Sequence, residues 1–332
     1  MKKKIINIIK FTLFFLVGII LFWLVYRDQN FKDILNELKK LNYWWVSLTL
    51  VFALLSHLSR ALRWNLLIQS LGHKSNILNT FLSIMVMYLA NLALPRMGEF
   101  TRCAIINRYE KISLPKLLGT VILERIIDFI VLVLLFFIVI ITQFHVVIKF
   151  IKNNPELSHK FDNLFSSEKI LFITGTILVL LIIIFLLFKN HIKTSWIYRK
   201  IAGFIIQIFD GIKTIRNMKN AKIFIFHTIF IYAMYYLMTY VFFWSFLPTA
   251  NLSLIAGLST LVIGSFGMVA PVQGGIGAYH FMVMETLFIY GISRTNGKIF
   301  ALVQHGSINL MLIVVGFICL ILLPVVNKKR SI

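Results

Sequence analysis

The segments LPRMGE (residues 94–99) and APVQGGIG (residues 270–277) interrupt two short apolar stretches of this 332-residue chain. Backbone N–H and C=O groups need hydrogen-bond partners in hydrocarbon, so a helix inside a membrane is normally unbroken. A broken helix persists there when its free backbone groups are buried in protein or line a wet cavity. Two such breaks, one in each half of the chain, therefore predict a polar site within a membrane protein.

Composition assigns the chain to the membrane proteins. Hydrophobic residues make up 59% of the sequence and the mean hydropathy is +0.87, whereas soluble domains are nearer half apolar. The net charge is +22, from 34 Lys and Arg against 12 Asp and Glu. On a soluble chain such a charge would indicate nucleic acid, but no hydrophilic stretch here is large enough to hold a duplex. We expect no nucleic-acid partner, and the basic residues instead predict attraction to anionic lipid headgroups.

Motifs for catalysis or cofactor binding are not apparent in the sequence. It contains no hydrolytic triad signature, no zincin motif and no Walker motif. The two cysteines, Cys103 and Cys319, lie far apart, so we predict neither a disulfide framework nor a cysteine-based metal site. We therefore expect a protein without metal or cofactor that is not an enzyme, and we predict no catalytic residue.

Apolar runs predict an all-α polytopic fold. A transmembrane helix needs about 20 apolar residues, and about six stretches are long enough. These predicted spans cover residues 5–26, 43–62, 117–142, 170–188, 223–247 and 299–323. The shorter stretches beside the breaks predict two re-entrant helical hairpins, at 78–110 and 252–291, although the second also fits two thin spans.

The basic residues predict the orientation of the chain. Lys and Arg are concentrated in the segments that become cytoplasmic when both termini are cytoplasmic, as the positive-inside rule requires. Three lysines at positions 2–4 precede a long apolar run without a small-residue cleavage site, which we interpret as an uncleaved first span. The protein is thus expected to be integral to the plasma (inner) membrane, with its N- and C-termini cytoplasmic.

The chain is predicted to form one integral-membrane domain, residues 1–332. With this orientation, the two halves of the domain contain the same order of elements. Residues 1–143 and 144–332 would each contain span, span, hairpin and span, with the hairpins entering from opposite faces. That pattern indicates an inverted repeat, as in secondary transporters, and the alternative is an irregular bundle with an incidental kink. Two amphipathic segments, 31–41 and 196–216, are predicted to lie at the membrane surface, the latter alternatively packing across the base of the bundle.

Charged residues lie at the first break and just after it. Pro95 lacks a backbone donor and is expected to break the helix, while Gly98 is expected to permit a tight turn. Arg96 lies in the break itself. Glu99 and Arg102 are three residues apart and would share one face of a following helix.

A second charged group, Glu124, Arg125 and Asp128, lies inside an apolar stretch. One charge at the centre of a membrane helix costs about 2.5–3.5 kcal/mol on insertion scales, so these groups need partners or water. We predict that Arg96, Arg102 or Arg125 binds a phosphate or another anion, because the guanidinium fork matches its geometry. The carboxylates would hold the arginines or relay protons. The alternative is a salt-bridge cluster with a purely structural role.

The second break combines Pro271, a further predicted helix break, with a glycine-rich sequence. Its glycines would let a ligand approach the backbone, and the amides of the helix that follows would face an anion. The residues predicted to bind substrate here are Gln273, Gly274, Gly275, Gly277 and His280.

Arg60 and Arg63, with His57, lie near the end of the predicted span 43–62. Long basic side chains at such positions usually extend to the headgroup region while their stems stay in hydrocarbon. We therefore predict that both are interface anchors and not ligands of a substrate.

The order of these residues resembles a known family. The motifs are Arg60-x-x-Arg63-Trp64, Pro95-Arg96-x-Gly98-Glu99-x-x-Arg102, Leu123-Glu124-Arg125-x-x-Asp128 and Pro271-x-x-Gly274-Gly275-x-Gly277. Over nearly the whole chain they resemble the lysylphosphatidylglycerol synthase transmembrane (flippase-like) family. The resemblance implies lipid binding and movement of headgroups between leaflets, with a site formed by Arg96, Glu99, Arg102, Glu124, Arg125 and Asp128. The sequence departs from the family at His280 and His305, near which the family often has Glu and Arg.

The resemblance leads to one expected function and two alternatives. We expect a transporter that moves an anionic phospholipid or lipid-linked headgroup between leaflets. One alternative is a membrane-embedded transferase acting on a lipid or polyprenyl-phosphate substrate, with Glu124 or Asp128 as base. The other is a lipid-binding subunit that partners a lipid-modifying synthase. Fused members of the family carry a soluble aminoacyl-transferase domain, and this sequence is expected to be a stand-alone member without that activity.

Overall fold

The computed structural model describes residues 16–94, 97–153, 203, 218–270 and 272–328. Within these ranges every regular element is helical, which confirms the predicted all-α fold. The predicted span 170–188, the amphipathic segment 196–216, and Pro95, Arg96 and Pro271 lie outside the described residues.

The described helices are labelled in chain order. They are α1 Leu16–Tyr26, α2 Phe31–Lys39, α3 Tyr43–Ser70, α4 Ile77–Ala93, α5 Met97–Glu110, α6 Leu114–Lys152, α7 Ala221–Phe243, α8 Leu254–Val269, α9 Ala278–Ile289 and α10 Arg294–Val326. Short 3₁₀ segments cover Leu247–Thr249 and Gln273–Gly275. The second of these lies in the second break.

Four of the described helices, α3, α6, α7 and α10, are long and apolar enough to cross a membrane. They contain 28, 39, 23 and 33 residues. They overlap the predicted spans 43–62, 117–142, 223–247 and 299–323. The structure thus confirms an apolar helix of sufficient length at each of these four positions.

The helices beside the two breaks are shorter. The helices α4 and α5 contain 17 and 14 residues, and α8 and α9 contain 16 and 12. At a rise of 1.5 Å per residue they are about 18–26 Å long, less than the roughly 30 Å of a hydrocarbon core. Helix α4 packs on α5, and α8 packs on α9, as the hairpin prediction requires. The number of full spans and the re-entrant course of the hairpins stay predictions.

Side-chain caps fix the start of several helices. The side chains of Asn42 and Asn76 accept hydrogen bonds from the second backbone N–H of α3 and α4, at 3.1 and 2.8 Å. The hydroxyl oxygens of Ser253 and Ser293 accept from the third backbone N–H of α8 and α10, each at 3.3 Å. These caps satisfy amides that have no partner within the helix.

The core is formed where the long and short helices meet. Helix α3 packs along α7, and α10 packs against both α4 and α9. Phe242 and Phe300 are fully buried between α7 and α10. Residues 31–39 of the predicted amphipathic segment 31–41 form α2. Ile34 of α2 and Leu41, just after it, join this core at 8% and 7% exposure.

The chain divides into two compact units, Met1–Ile140 with Met218–Ile332, and Ile141–Asn217. The first unit holds both breaks and all the site residues below. The division into repeat-like halves at residue 143 is a separate statement about topology and stays a prediction.

Two glycines permit close approach between helices at the breaks. Gly98 lies in the first turn of α5, directly after the first break, and its predicted role in that break stays a prediction. A side chain there would collide with the carbonyl oxygen of Met87, and its N–H donates to the Asn91 side chain at 2.8 Å. Gly277, before α9, has φ +80°, and a side chain there would lie 2.7 Å from the backbone nitrogen of Phe22 in α1.

Candidate functional site

Two arginines on one face of α3 clamp two carboxylates on α6. The Nη1 atom of Arg60 donates to Glu124 Oε1 at 2.5 Å and to Asp128 Oδ2 at 2.9 Å. The Nη2 atom of Arg63 donates to Asp128 Oδ1 at 2.6 Å and to Glu124 Oε1 at 3.2 Å. Residues three apart on α3 thus meet residues four apart on α6, so that each carboxylate is shared by both guanidinium groups.

The prediction that Arg60 and Arg63 are interface anchors is wrong. Their side chains are only 5% and 0% exposed and are held in ion pairs, whereas an anchoring guanidinium extends into the headgroup region. The sequence did contain a signal for the pairing. The spacing of the two arginines matches one helical turn, as does that of Glu124 and Asp128.

Arg102 of α5 adds a third guanidinium to the cluster and is completely buried. Its Nη2 atom lies 2.8 Å from Glu124 Oε2, but the alignment is not that of a hydrogen bond, and its nitrogens have no hydrogen-bond partner among the described residues. The guanidinium stacks 4.5 Å from the centroid of the Trp64 ring, a cation–π contact. Trp64 is itself fixed by a 2.9 Å bond from its Nε1 to Thr120.

Arg125 is the cluster's exposed member. Its Nη2 atom lies 3.1 Å from Glu124 Oε1 and 3.3 Å from Asp128 Oδ2, yet 42% of its side chain is accessible. With Arg125, four guanidinium groups share two carboxylates, giving the cluster a formal excess of two positive charges. Like charges held together in a buried place are costly unless an anion or water compensates them. The arrangement therefore favours binding of an anion beside Arg125.

Helix α7 contributes three hydroxyl groups that were not among the site residues predicted from the sequence. Tyr235 accepts from Arg60 Nη2 at 3.1 Å, and Thr228 accepts from Arg63 Nη1 at 3.2 Å. The hydroxyl of Tyr232 donates to the backbone oxygen of Asp128 at 2.7 Å. These three hydroxyls recur at helical spacing in an otherwise apolar stretch, the one sequence signal that could have identified them.

A cavity of about 360 Å³ joins the cluster to both breaks. Glu99 and Arg125 line it from the first half of the chain, and Gly274 and Gly275 line it from the second. The Oε2 atom of Glu99 is buried without a hydrogen-bond partner in the described part of the chain. The structure thus brings these four predicted residues to one cavity, hereafter the central cavity.

Gln273 ties the second break to the first. Its Nε2 atom donates to the backbone oxygens of Leu92 at 2.5 Å and Ala93 at 2.7 Å. These carbonyls lie in the last turn of α4, where a helix has no internal donors left. Gln273 therefore satisfies the broken end of α4 and holds the two breaks together.

His280 and Gly277 do not line the central cavity. The Nδ1 atom of His280 accepts from the backbone N–H of Gly277 at 3.1 Å, and its Nε2 atom lies 3.3 Å from Nδ1 of His305. An amide can only donate, so a neutral His280 carries its proton on Nε2 and donates to His305. His305 Nε2 in turn lies 3.2 Å from Nδ2 of Asn309, which lines the central cavity. A neutral His305 that accepts at Nδ1 carries its proton on Nε2, so this last contact would set two N–H donors face to face. The directional hydrogen bonds therefore run from Gly277 through His280 and end at His305.

A smaller cavity of about 270 Å³ adjoins the central cavity. The two share Tyr88, Met268, Asn309 and Leu312 as walls. His57 and His305 line only the smaller one, hereafter the side cavity. Among the described residues, no group of three or more His, Cys, Asp or Glu side chains could hold a metal ion.

Comparison with known proteins gives one match. The family model described as "Lysylphosphatidylglycerol synthase TM region" matches residues 7–316 of the 332-residue chain. The match covers both breaks and all members of the charged cluster. No curated protein and no solved structure matches the chain.

Proposed function

We propose that this integral membrane protein, which belongs to the lysylphosphatidylglycerol synthase transmembrane family, moves an anionic lipid between the two leaflets. One observation carries the proposal. A buried cluster with more guanidinium groups than carboxylates presents its exposed member, Arg125, to a cavity between two broken helices. A lipid phosphate is the anion that a membrane supplies to such a place.

The chemistry of the cluster suits a phosphate diester. Guanidinium groups form paired, charge-assisted hydrogen bonds with phosphate oxygens. Because Glu124 and Asp128 are already shared among several arginines, they hold the guanidinium groups in place and leave positive charge for the ligand. Arg96 follows Pro95 in the first break and is a candidate second phosphate ligand on the basis of the sequence.

The size and surroundings of the central cavity suit a lipid headgroup. A volume of about 360 Å³ accommodates a headgroup but not two acyl chains. Met268 and Val269 line the cavity while 46% and 61% of their surface is exposed. An apolar, accessible rim of this kind lets the acyl chains stay in the lipid while the headgroup enters the protein.

Transport would proceed by alternating access. In this proposal the halves 1–143 and 144–332 form an inverted repeat, and rocking of one against the other exposes the headgroup to each leaflet in turn. With both termini in the cytoplasm of an inner-membrane protein, the membrane potential would drive an anionic lipid outward. One charge crossing 100 mV gains about 2.3 kcal/mol.

A lipid transferase is the second candidate, and one observation favours it. Glu99 lines the central cavity with an unpartnered carboxylate oxygen, whereas Glu124 and Asp128 are engaged by arginines. A general base needs a carboxylate that is free to accept a proton. Glu99 would therefore be the base, in place of the two carboxylates that the sequence suggested.

Lipid exchange in proteoliposomes tests the proposal. Vesicles with a fluorescent anionic phospholipid are treated with a membrane-impermeant quencher, and the rate at which inner-leaflet lipid becomes accessible is measured. We expect the protein to raise this rate and Arg125→Gln to lower it about tenfold, equivalent to 1.4 kcal/mol. Arg294→Gln, which removes an exposed arginine paired with Glu285, is the matched control and should leave the rate unchanged.

Two results would contradict the proposal. Exchange equal to that of protein-free vesicles, in the presence and absence of a membrane potential, would exclude lipid transport. Recovery of a chemically altered lipid would instead favour the transferase, and loss of that product in Glu99→Gln would identify the base.

A further inference from the structure

We propose that a groove between α1, α9 and α10 binds an anionic phospholipid at a site apart from the central cavity, where the lipid ties α1 to the other two helices. The groove has a volume of about 320 Å³ and is hereafter called the lateral groove. Helices α1 and α9 supply its apolar residues, and α10 supplies two cations, Arg294 and Lys298. None of these residues lines the central cavity, so the inference does not depend on the proposed function.

The apolar part of the lateral groove is accessible from outside the protein. It is formed by Leu21, Leu24 and Val25 of α1 and by Phe281 and Met284 of α9. Leu24 and Phe281 are 45% and 46% exposed. In a membrane, the compound next to such residues is the acyl chain of a lipid, which packs on them through dispersion contacts. The volume of the groove suits part of one such chain.

The two cations lie at one end of the lateral groove. The Tyr26 hydroxyl, at the end of α1, donates to the backbone oxygen of Lys298 at 2.8 Å. The end of α1 therefore lies beside the start of α10. Leu21 lies about 7.5 Å further along the axis of α1. A groove that is cationic at one end and apolar towards the other matches an amphiphile with an anionic head.

Glu285 neutralises one of the two cations. The Nε and Nη2 atoms of Arg294 donate to its Oε1 and Oε2 atoms at 2.8 and 3.1 Å. The Arg294 guanidinium also stacks on Phe288, 4.0 Å from the ring centroid. The ammonium group of Lys298 makes no ion pair within the part of the chain that the structure describes. One positive charge is thus left without compensation, and one phosphate diester would balance it.

Other occupants match these features less well. The ammonium group of a zwitterionic phospholipid would be repelled by Lys298. A free phosphate ion would leave the apolar wall without a partner. An acyl chain and a headgroup of net negative charge are therefore needed in one molecule.

A lipid in this position contacts all three helices. Its phosphate would lie at Lys298 of α10, and its acyl chain would lie against Leu24 of α1 and Phe281 of α9. Helix α1 also meets the second break, where a side chain at Gly277 would lie 2.7 Å from the backbone nitrogen of Phe22. Because a ligand that binds only the folded protein stabilises it, the lipid would strengthen the attachment of α1.

Native mass spectrometry of the full chain tests the inference, because it counts bound lipids. Delipidated protein is titrated with dioleoylphosphatidylglycerol, which is anionic, and separately with dioleoylphosphatidylcholine, which is zwitterionic. We expect the anionic lipid to bind more tightly and to give the larger rise in unfolding temperature. Lys298→Gln should lower the affinity for the anionic lipid about fivefold, the contribution of one basic residue near a membrane surface.

A second variant should have the opposite effect. Glu285→Gln releases Arg294 from its ion pair and should raise the affinity for the anionic lipid, again about fivefold. Lys39→Gln, at an exposed position of α2, is the matched control and should leave the affinity unchanged. The same changes are expected in protein that also carries Arg125→Gln, since that substitution alters the central cavity and not the lateral groove.

The outcomes separate the lateral groove from the proposed function. Unchanged affinity for the anionic lipid in Lys298→Gln and Glu285→Gln would overturn the inference while lipid transport stands. A change of oligomeric state in these variants, without a change in lipid affinity, would assign the groove to a second copy of the chain and overturn it as well. Opposite effects of the two variants on affinity, with no lipid exchange in proteoliposomes, would support the groove and overturn the proposed function.

Discussion

Buried polar groups near the first break are charged, whereas those at the second break are neutral. On the first side, Glu124 of α6 is surrounded by guanidinium groups from α3, α5 and α6. On the second, Gln273, the glycine backbone and the His280–His305 pair make hydrogen bonds without formal charge. In the part of the chain that the structure describes, no ion pair links α8, α9 or α10 to the cluster.

This difference indicates which wall of the central cavity is fixed and which is able to move. Separating buried ion pairs is expensive, because each charge left behind is unpaired. Separating neutral groups costs much less free energy, because they can form new hydrogen bonds with water or lipid. The charged wall is Glu124 with its arginines, and the neutral wall is Gln273, the glycines of the second break and the His280–His305 pair. We infer that the charged wall is the rigid side of the site and that the neutral wall moves against it.

The largest expected effect comes from breaking the charged wall. Glu124→Gln would leave Asp128 as the one carboxylate of the cluster, paired with three of its four arginines, and Arg102 without a carboxylate partner in the cluster. Since removing one partner of a buried pair costs about 3–5 kcal/mol, we expect a loss of that size in the free energy of unfolding, measured in mixed detergent micelles. Glu285→Gln removes a partly exposed pair with Arg294 and should cost less than about 1 kcal/mol. Equal losses in the two variants would show that the cluster does not hold the fold together.

An intermediate effect is expected at the glycines of both breaks. Alanine at position 98 would meet the backbone of α4, and alanine at position 277 would meet α1 and adopt φ +80°. Each substitution should lower the free energy of unfolding by about 1–3 kcal/mol. Gly306→Ala in α10 has no neighbouring atom within 4 Å of the added carbon and should be neutral or stabilise by up to about 1 kcal/mol. Unchanged stability at 98 and 277 would mean that neither break depends on the close approach.

The smallest expected effect comes from the link between the two walls. Gln273→Met keeps the length of the side chain but removes the donor to Leu92 and Ala93. We expect the free energy of unfolding to fall by about 0.5–1.5 kcal/mol and the lipid exchange rate to rise, since the walls separate more easily. Gln69→Met, at an exposed position of α3, is the control. A slower exchange rate in Gln273→Met would show that the link positions the substrate and does not restrain the opening.

The features that could be predicted from the sequence are those marked by a long apolar run or by ionisable residues within an apolar stretch. Uninterrupted apolar runs located α3, α6, α7 and α10. Glu124 and Asp128 were identified because ionisable groups in an apolar helix need partners, and the structure pairs both with arginines.

The remaining site features depend on distant contacts. Arg60 and Arg63 were assigned as anchors because a basic residue near a span end has the same local pattern whether it faces lipid or a carboxylate. Gly98 was expected to permit a tight turn, and the contact that its missing side chain permits, with the α4 backbone, could not be read from the sequence. His280 was expected in the site, but it bonds Gly277 and His305 one step away from the central cavity.

The order of the paired residues Arg60 and Glu124 along the chain has a consequence for how the protein is synthesised and inserted into the membrane. Arg60 precedes Glu124 by 64 positions, so at usual synthesis rates its guanidinium leaves the ribosome about 3–13 s before its partner. During that interval the nascent α3 segment carries two cations and lacks the acids that neutralise them. Its transfer from the insertion machinery into lipid would therefore wait for α6, and the two segments would enter the bilayer together.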